Sequence, residues 1–266
     1  MKALGVALLL LLVSGCEPQF VDAVGVAVPS DAGMDVEPPP QPVPSLLHLY
    51  RFGGMGTVVR DEYGGAHGEV MGTMLSGAGS LTLARVAPEQ YVDLPNRILS
   101  GLSNATIEVW VSWDDAAGPF WQRIFDFGNT DLGEGNRGGG TSYVFLTAKA
   151  DSGLLRLVYS LNGVAFETDI EGDGPLPGMA STHLAVVVDD RPTMALYLNG
   201  IQVGDTTPIP GGLRDIDDVN NWLGRSNFAN DSGFVGTFYE FRIYDSAMSA
   251  DDVLASYAAG QDAAFE

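Results

Sequence analysis

The chain has 266 residues, 45% of them hydrophobic, with 13 Lys and Arg against 34 Asp and Glu, a formal net charge of −21 and a single cysteine. That length admits one large all-β domain or two ordinary ones, and the acidity excludes nucleic acid as a partner, because such binding rests on Lys and Arg displacing counterions from phosphate. One cysteine excludes an internal disulfide and every zinc site built on several cysteines.

Lys2 opens a short positive start, and residues 3–13 form an apolar run of 11 residues. A helix takes roughly 20 apolar residues to cross a bilayer, so this run reads as the core of a secretory signal and not as a span. It ends in Val13-Ser14-Gly15-Cys16, which resembles the bacterial lipobox. The resemblance implies a lipoprotein signal peptide over residues 1–15 and lipid on Cys16, which ties the chain to a lipid membrane. Two or more acyl chains give stable anchoring where one does not. The expected location is the bacterial cell envelope, at the outer membrane or cell surface more than at the inner membrane.

Residues 17–45 hold seven of the fifteen prolines, five acids and no Lys or Arg. Proline fixes φ and removes a donor, so residues 16–45 are expected to form an acidic, semi-stiff linker that holds the rest of the chain away from the lipid. From residue 46 the texture changes to short apolar runs punctuated by Gly, Asn and Asp. Strands are predicted over 81–86, 91–94, 105–113, 123–127, 143–148, 154–161, 164–168, 183–189, 194–198, 201–204 and 234–244, the even spacing of a sandwich or barrel. Asn162-Gly163 and Asn199-Gly200 predict two-residue type I′ hairpin turns, which need positive φ at both central positions.

In the segment 105–113, Ile107, Val109, Val111 and Trp113 share one face by period 2, while Glu108, Trp110 and Ser112 share the other. That mixed second face predicts a central strand whose far side is partly covered. One helix is predicted, over 249–259: Ser249 and Asp252 make a capping box, Val253, Leu254 and Tyr257 an apolar stripe, and Gly260 the stop. Residues 261–266 are left as a tail.

Eight segments carry a further resemblance: Tyr91-Val92-Asp93-Leu94-Pro95; Ala105-Thr106-Ile107-Glu108-Val109-Trp110-Val111; Trp121-Gln122-Arg123-Ile124-Phe125-Asp126-Phe127-Gly128; Tyr143-Val144-Phe145-Leu146-Thr147; His183-Leu184-Ala185-Val186-Val187-Val188-Asp189; Leu196-Tyr197-Leu198-Asn199-Gly200; Trp222-Leu223-Gly224-Arg225; and residues 236–244. In this order they resemble the laminin-G-like, concanavalin-A-like jelly roll of bacterial surface proteins, over residues 46–260. The resemblance implies an all-β sandwich of two antiparallel sheets with one short C-terminal helix. Relatives bind carbohydrate, matrix proteins or calcium, at rim loops or on a concave sheet. A structural calcium is the one cofactor the resemblance implies. It would use Asp61, in the turn Asp61-Glu62-Tyr63-Gly64, and Glu240 on the last strand, although Tyr239 stands where relatives commonly carry an acid.

Catalytic chemistry is mostly missing. Glycoside hydrolysis needs two carboxyl groups flanking one bond, and hydrolases of this fold set them as Glu-x-Asp-x-x-Glu. Here Trp110 and Trp113 stand where the partners of Glu108 would be, so Glu108 is expected at the surface or rim. His48, His67 and His183 show no metal-ligand spacing and are expected to be strand or loop residues. Gly133-Glu134-Gly135-Asn136-Arg137-Gly138 matches Gly-x-Gly-x-x-Gly, but the segment after it is a strand and not a helix, so it reads as a mobile loop at a binding rim. Residues 169–174 imitate the start of a calcium loop but have Ala180 in place of its closing Glu, and read as a solvated acidic turn. Trp121 in a loop, with Asn129, Asp131, Asn136, Arg137, Asn230 and Asp231, are the candidate ligand-binding residues. These readings give a non-catalytic, lipid-anchored envelope protein that binds carbohydrate or another surface protein. The alternatives are a polysaccharide hydrolase or lyase with an unrecognised site, and a purely structural envelope protein.

Overall fold

The computed structural model describes residues 44–263. The signal segment, Cys16 and the linker up to residue 43 lie outside the described residues.

The first strands are short: β1 (Leu46–Tyr50), β2 (Met55–Gly56), β3 (Val58–Val59), β4 (Gly68–Met71), β5 (Leu75–Ser76), β6 (Leu81–Leu83) and β7 (Tyr91–Leu94). Longer ones come next: β8 (Ala105–Trp113), β9 (Arg123–Thr130), β10 (Gly140–Thr147), β11 (Arg156–Ser160), β12 (Thr168–Glu171) and β13 (Thr182–Asp189). The chain closes with β14 (Thr193–Leu198), β15 (Ile201–Pro208), β16 (Asn220–Leu223), β17 (Gly236–Tyr244) and helix α1 (Ala250–Ala259). They form a seven-stranded sheet ordered β1-β17-β8-β13-β14-β15, with β6 also on β17, an eight-stranded sheet ordered β12-β11-β10-β9-β16-β7-β4-β3, and a small separate pair of β2 and β5. Every strand pairing is antiparallel. The expected two-sheet, all-β fold with one short helix is what forms.

The main core lies between the sheets. Ile107, Val109, Val111 and Trp113 of β8 meet Phe125 and Phe127 of β9, Val144 and Leu146 of β10, and Phe241 and Ile243 of β17. Each such side chain contributes about 1.5–3 kcal/mol by leaving water. A bulge between Phe238 and Glu240 lets β17 keep Phe238, Phe241 and Ile243 in this core while Glu240 and Arg242 face outward.

That outward face is not solvated. Helix α1, with Ser249 and Asp252 capping it reciprocally and Gly260 at its end in a positive-φ conformation, covers a second apolar cluster of Leu49, Val187, Tyr197, Tyr244 and Val253. Val253 and Ser256 face inward, whereas Leu254 and Tyr257 of the expected stripe are partly exposed, at 48% and 39%. Glu108, expected at the surface, is fully buried here. It accepts from Ser256 Oγ at 2.8 Å and Arg242 Nη1 at 3.3 Å, with His183 Nε2 at 3.2 Å. Arg242 also bonds Glu240 and stacks on Trp110 at 4.2 Å.

Asn199 (φ 52°) and Gly200 (φ 78°) form the expected tight turn between β14 and β15. The other expected turn does not form. Only Gly163 takes positive φ, a 3-10 turn spans Val164–Phe166, and pairing resumes with Tyr159 opposite Thr168. The expected acidic turn is likewise partly strand, since Asp169, Ile170 and Glu171 pair with β11.

Candidate functional site

On the outer face of the eight-stranded sheet, alternation places Tyr143 and Phe145 of β10 and Val158 of β11 away from the main core, in a small cluster with Trp121 and Phe228. Arg123 and Arg156 lie on the same face, at the start of β9 and of β11. Trp121, Arg123, Phe145, Asp151, Arg156, Val164, Glu167, Phe228 and Asp231 line an open hollow of about 310 Å³, at the small end of the range for ligand sites.

Arg123 is its floor. The guanidinium is buried, with Nε 3.3 Å from Asp126 Oδ2, Nη1 donating to the Trp121 carbonyl at 3.2 Å, and Nη2 2.8 Å from Asp231 Oδ2. Trp121 reaches this position with φ 65°, a left-handed conformation that costs an L-residue about 1–2 kcal/mol. Its indole meets Phe145 edge-on at 6.4 Å, and both Arg123 and Arg156 approach its ring. Local strain of this kind concentrates at functional sites.

Asp126, fully buried, accepts from Asn227 N at 2.9 Å, Asn227 Nδ2 at 2.8 Å and Ser226 Oγ at 3.4 Å. It thereby ties the 225–233 loop to the sheet. Burial pushes its carboxyl up, against the opposing pull of Arg123. Glu167 is also pushed up by burial, while the Tyr143 hydroxyl, donating to its Oε1 at 2.7 Å, and the two arginines work the other way. The loop itself is bracketed by glycines. A Cβ on Gly224 (φ 83°) would come 2.3 Å from Leu83 Cδ1, and one on Gly236 would come 2.0 Å from the Ser112 carbonyl oxygen.

Only two of the expected ligand residues, Trp121 and Asp231, line this hollow. Arg137 lies behind the loop, donating to the carbonyls of Phe228 and Asp231 and pairing with Glu89 at 2.9 Å. With Asp231 it lines a second hollow of about 410 Å³ on the far side of the loop. Asn129 donates to Asp217 at 2.6 Å, Asp131 accepts from Gly139 N at 2.7 Å, and Asn136 donates to the carbonyls of Leu132 and Glu134. These three hold loop backbone and neighbouring side chains. Asn230 is exposed at the loop tip. Sequence reasoning missed Arg123, Phe145 and Arg156, whose signal is alternation with core residues on β9, β10 and β11, and also Glu167 and Phe228, which lie in connections and carry no such signal.

The expected calcium ligands are separately engaged. Asp61 accepts from the backbone N–H of Leu49, Tyr63, Gly64 and Ala66 at 2.9–3.1 Å and from His48 Nδ1 at 2.8 Å. Glu240 meets Arg242, Arg51 and the N–H of Asp262. Among the described residues no group of three or more His, Cys, Asp or Glu is suited to hold a metal ion. No helix among them is long and apolar enough to cross a membrane.

A family model described as the concanavalin A-like lectin/glucanases superfamily matches residues 87–254. Among solved structures, the chain is similar to Domain 4 of AbnA, a GH43 extracellular arabinanase from Geobacillus stearothermophilus, in complex with arabinotriose. The identity is 19%, coverage 80% of this chain and 98% of that one, and the TM-score 0.56. The Ruminococcus gnavus IT-sialidase CBM40 bound to α2,3 sialyllactose is 18% identical, with 66% and 96% covered and a TM-score of 0.51. A Trypanosoma rangeli sialidase is 15% identical, with 87% of this chain but 36% of that chain covered and a TM-score of 0.62. No curated protein matches the chain significantly.

Proposed function

Since the chain belongs to the concanavalin A-like lectin/glucanases superfamily, we propose that its β-sandwich binds carbohydrate in the Trp121 hollow without cleaving it. The observation that carries this reading is the hollow itself, where a strained Trp121 and the rings of Phe145 and Phe228 surround polar groups. Aromatic rings cover the C–H faces of a sugar, and carboxylates and guanidiniums receive its hydroxyls. Val164 lines the hollow and Phe166 lies on the same short turn, both 63% exposed. The solved relatives in complex with arabinotriose and sialyllactose make glycans the first class to try. Glycan-array binding of the full chain, with Trp121→Ala as control, tests it: a signal lost in the variant supports the reading, and a flat array removes it.

One observation favours hydrolysis as a second reading. Glu167, its carboxyl pushed up by burial, shares the hollow with Asp231, and two carboxyl groups flanking one bond are the equipment of a glycosidase. Against it, Asp231 is already bonded to Arg123 and Ser226. New reducing ends from a polysaccharide, absent with Glu167→Gln, would establish it.

We further propose that Cys16 carries lipid and presents the domain at the bacterial envelope. Support comes from Val13-Ser14-Gly15-Cys16 and the proline-rich residues after it. Cys16→Ser should move the protein from the membrane to the soluble fraction of cells, and unchanged fractionation would overturn the proposal.

A further inference from the structure

The hollow's hydrogen-bonding capacity is unevenly spent. Arg123 has an acceptor on each of its three nitrogens, namely Asp126, the Trp121 carbonyl and Asp231, and one face of the guanidinium is covered by Phe145 at 3.7 Å. Arg156 turns both Nε and Nη2 onto Glu171 Oε1, which also accepts from Ser152 Oγ at 2.6 Å. All three nitrogens of Arg123 are therefore engaged, and on Arg156 the Nε–Nη2 side of the fork is taken by Glu171 while Nη1 is left over.

The acids are less fully used. Among the described residues, Glu167 accepts from Tyr143 through Oε1 only, and Asp231 accepts through Oδ2 only. The Asp151 side chain is 67% exposed and nearest Arg156 at 3.9 Å. What faces the hollow is thus dominated by vacant acceptors, and their complement is a hydroxyl donor. In the second hollow, across the 225–233 loop, the cations are likewise paired, Arg85 with Asp115 at 2.6 Å and Arg137 with Glu89 at 2.9 Å.

From this we infer that the site takes a sugar unit bearing no acidic group, and that glycans carrying a carboxylate or sulfate at that unit are turned away. The inference rests on the reading that the Trp121 hollow binds glycan. An acidic unit would bring a negative charge among Asp151, Glu167 and Asp231 with only the Nη1 end of Arg156 left to meet it, and like charges brought together are strongly unfavourable. The net charge of −21 adds a diffuse repulsion toward polyanionic glycans.

Titration of the full-length protein with matched pairs, lactose against 3′-sialyllactose and xylo-oligosaccharides against their glucuronate-substituted forms, tests this, with arabinotriose as an additional neutral probe. The neutral member should bind about tenfold tighter or more at low salt, the gap should narrow as salt screens the charges, and Asp151→Lys should narrow it further. Acidic members that bind as tightly as neutral ones, and lose binding with Trp121→Ala, overturn the inference and leave the glycan site standing. Binding indifferent to Trp121→Ala, or no binding by either class, overturns the glycan reading and the inference together.

Discussion

The guanidinium carbon of Arg123 lies 3.7 Å from the centroid of the Phe145 ring, so a cation forms part of the outer aromatic cluster while its edges are held by Asp126 and Asp231. Removing one member of a buried ion pair costs about 3–5 kcal/mol, because the other is left uncompensated. Arg123→Met should therefore destabilise the protein by about that amount in urea unfolding. The double variant with Asp126→Asn should recover part of the loss, and a double variant no more stable than Arg123→Met would count against the pairing.

Trp121 predicts a division between stability and binding. Trp121→Gly relieves a left-handed backbone worth about 1–2 kcal/mol but gives up the edge-on contact with Phe145. The two effects oppose each other, so Tm should change little while glycan affinity is lost. Tm and affinity falling in proportion would mean that the indole is only a packing element.

Asp61 sets an acid limit. Its burial would raise the carboxyl, but the N–H groups of Leu49, Ala66 and Gly64 together with His48 outweigh this and lower it to about 2. A depressed folded-state value means stability that is fully present above the unfolded value of about 3.9 and is lost as pH falls from there through about 2. Asp61→Asn should flatten stability over that window and cost about 2 kcal/mol at neutral pH. Because both carboxylate oxygens already accept protein donors, added calcium should leave Tm unchanged. A rise in Tm that disappears in Asp61→Asn would assign a cation to this turn.

Glu108 fastens the closing helix through Ser256 and Arg242. Glu108→Gln should cost about 1–3 kcal/mol and lower amide-exchange protection across Ala250–Ala259 more than across β10. Uniform loss of protection through the sandwich would instead make Glu108 a general core residue.

Much of this architecture could be read from residue order, and the exceptions have physical causes. β7 and β8 fall where alternation and flanking turn residues put them, and the Ser249–Asp252 capping box and Asn199-Gly200 turn are local enough to be decided by their own residues. Asn162-Gly163 has the same letters but a different outcome, because Ser160 Oγ donates to the Gly163 carbonyl and accepts from Asn162 N, drawing the chain into a longer connection. The burial of Glu108 is invisible locally because it depends on Arg242 and Ser256, more than 130 residues away in sequence. The hollow escapes for the same reason: β9, β10, β11 and the 225–233 loop each bring one or two of its residues, and only strand order makes them neighbours.

Gly224 and Gly236 give the 225–233 loop two fixed feet, at positions where any side chain would strike Leu83 or the Ser112 carbonyl. Ala229 and Asn230 at its crest are exposed and bear none of that constraint. Descendants of this chain can therefore rewrite the crest while the scaffold beneath, with the Phe228 and Asp231 that line the hollow on either side of it, is inherited intact.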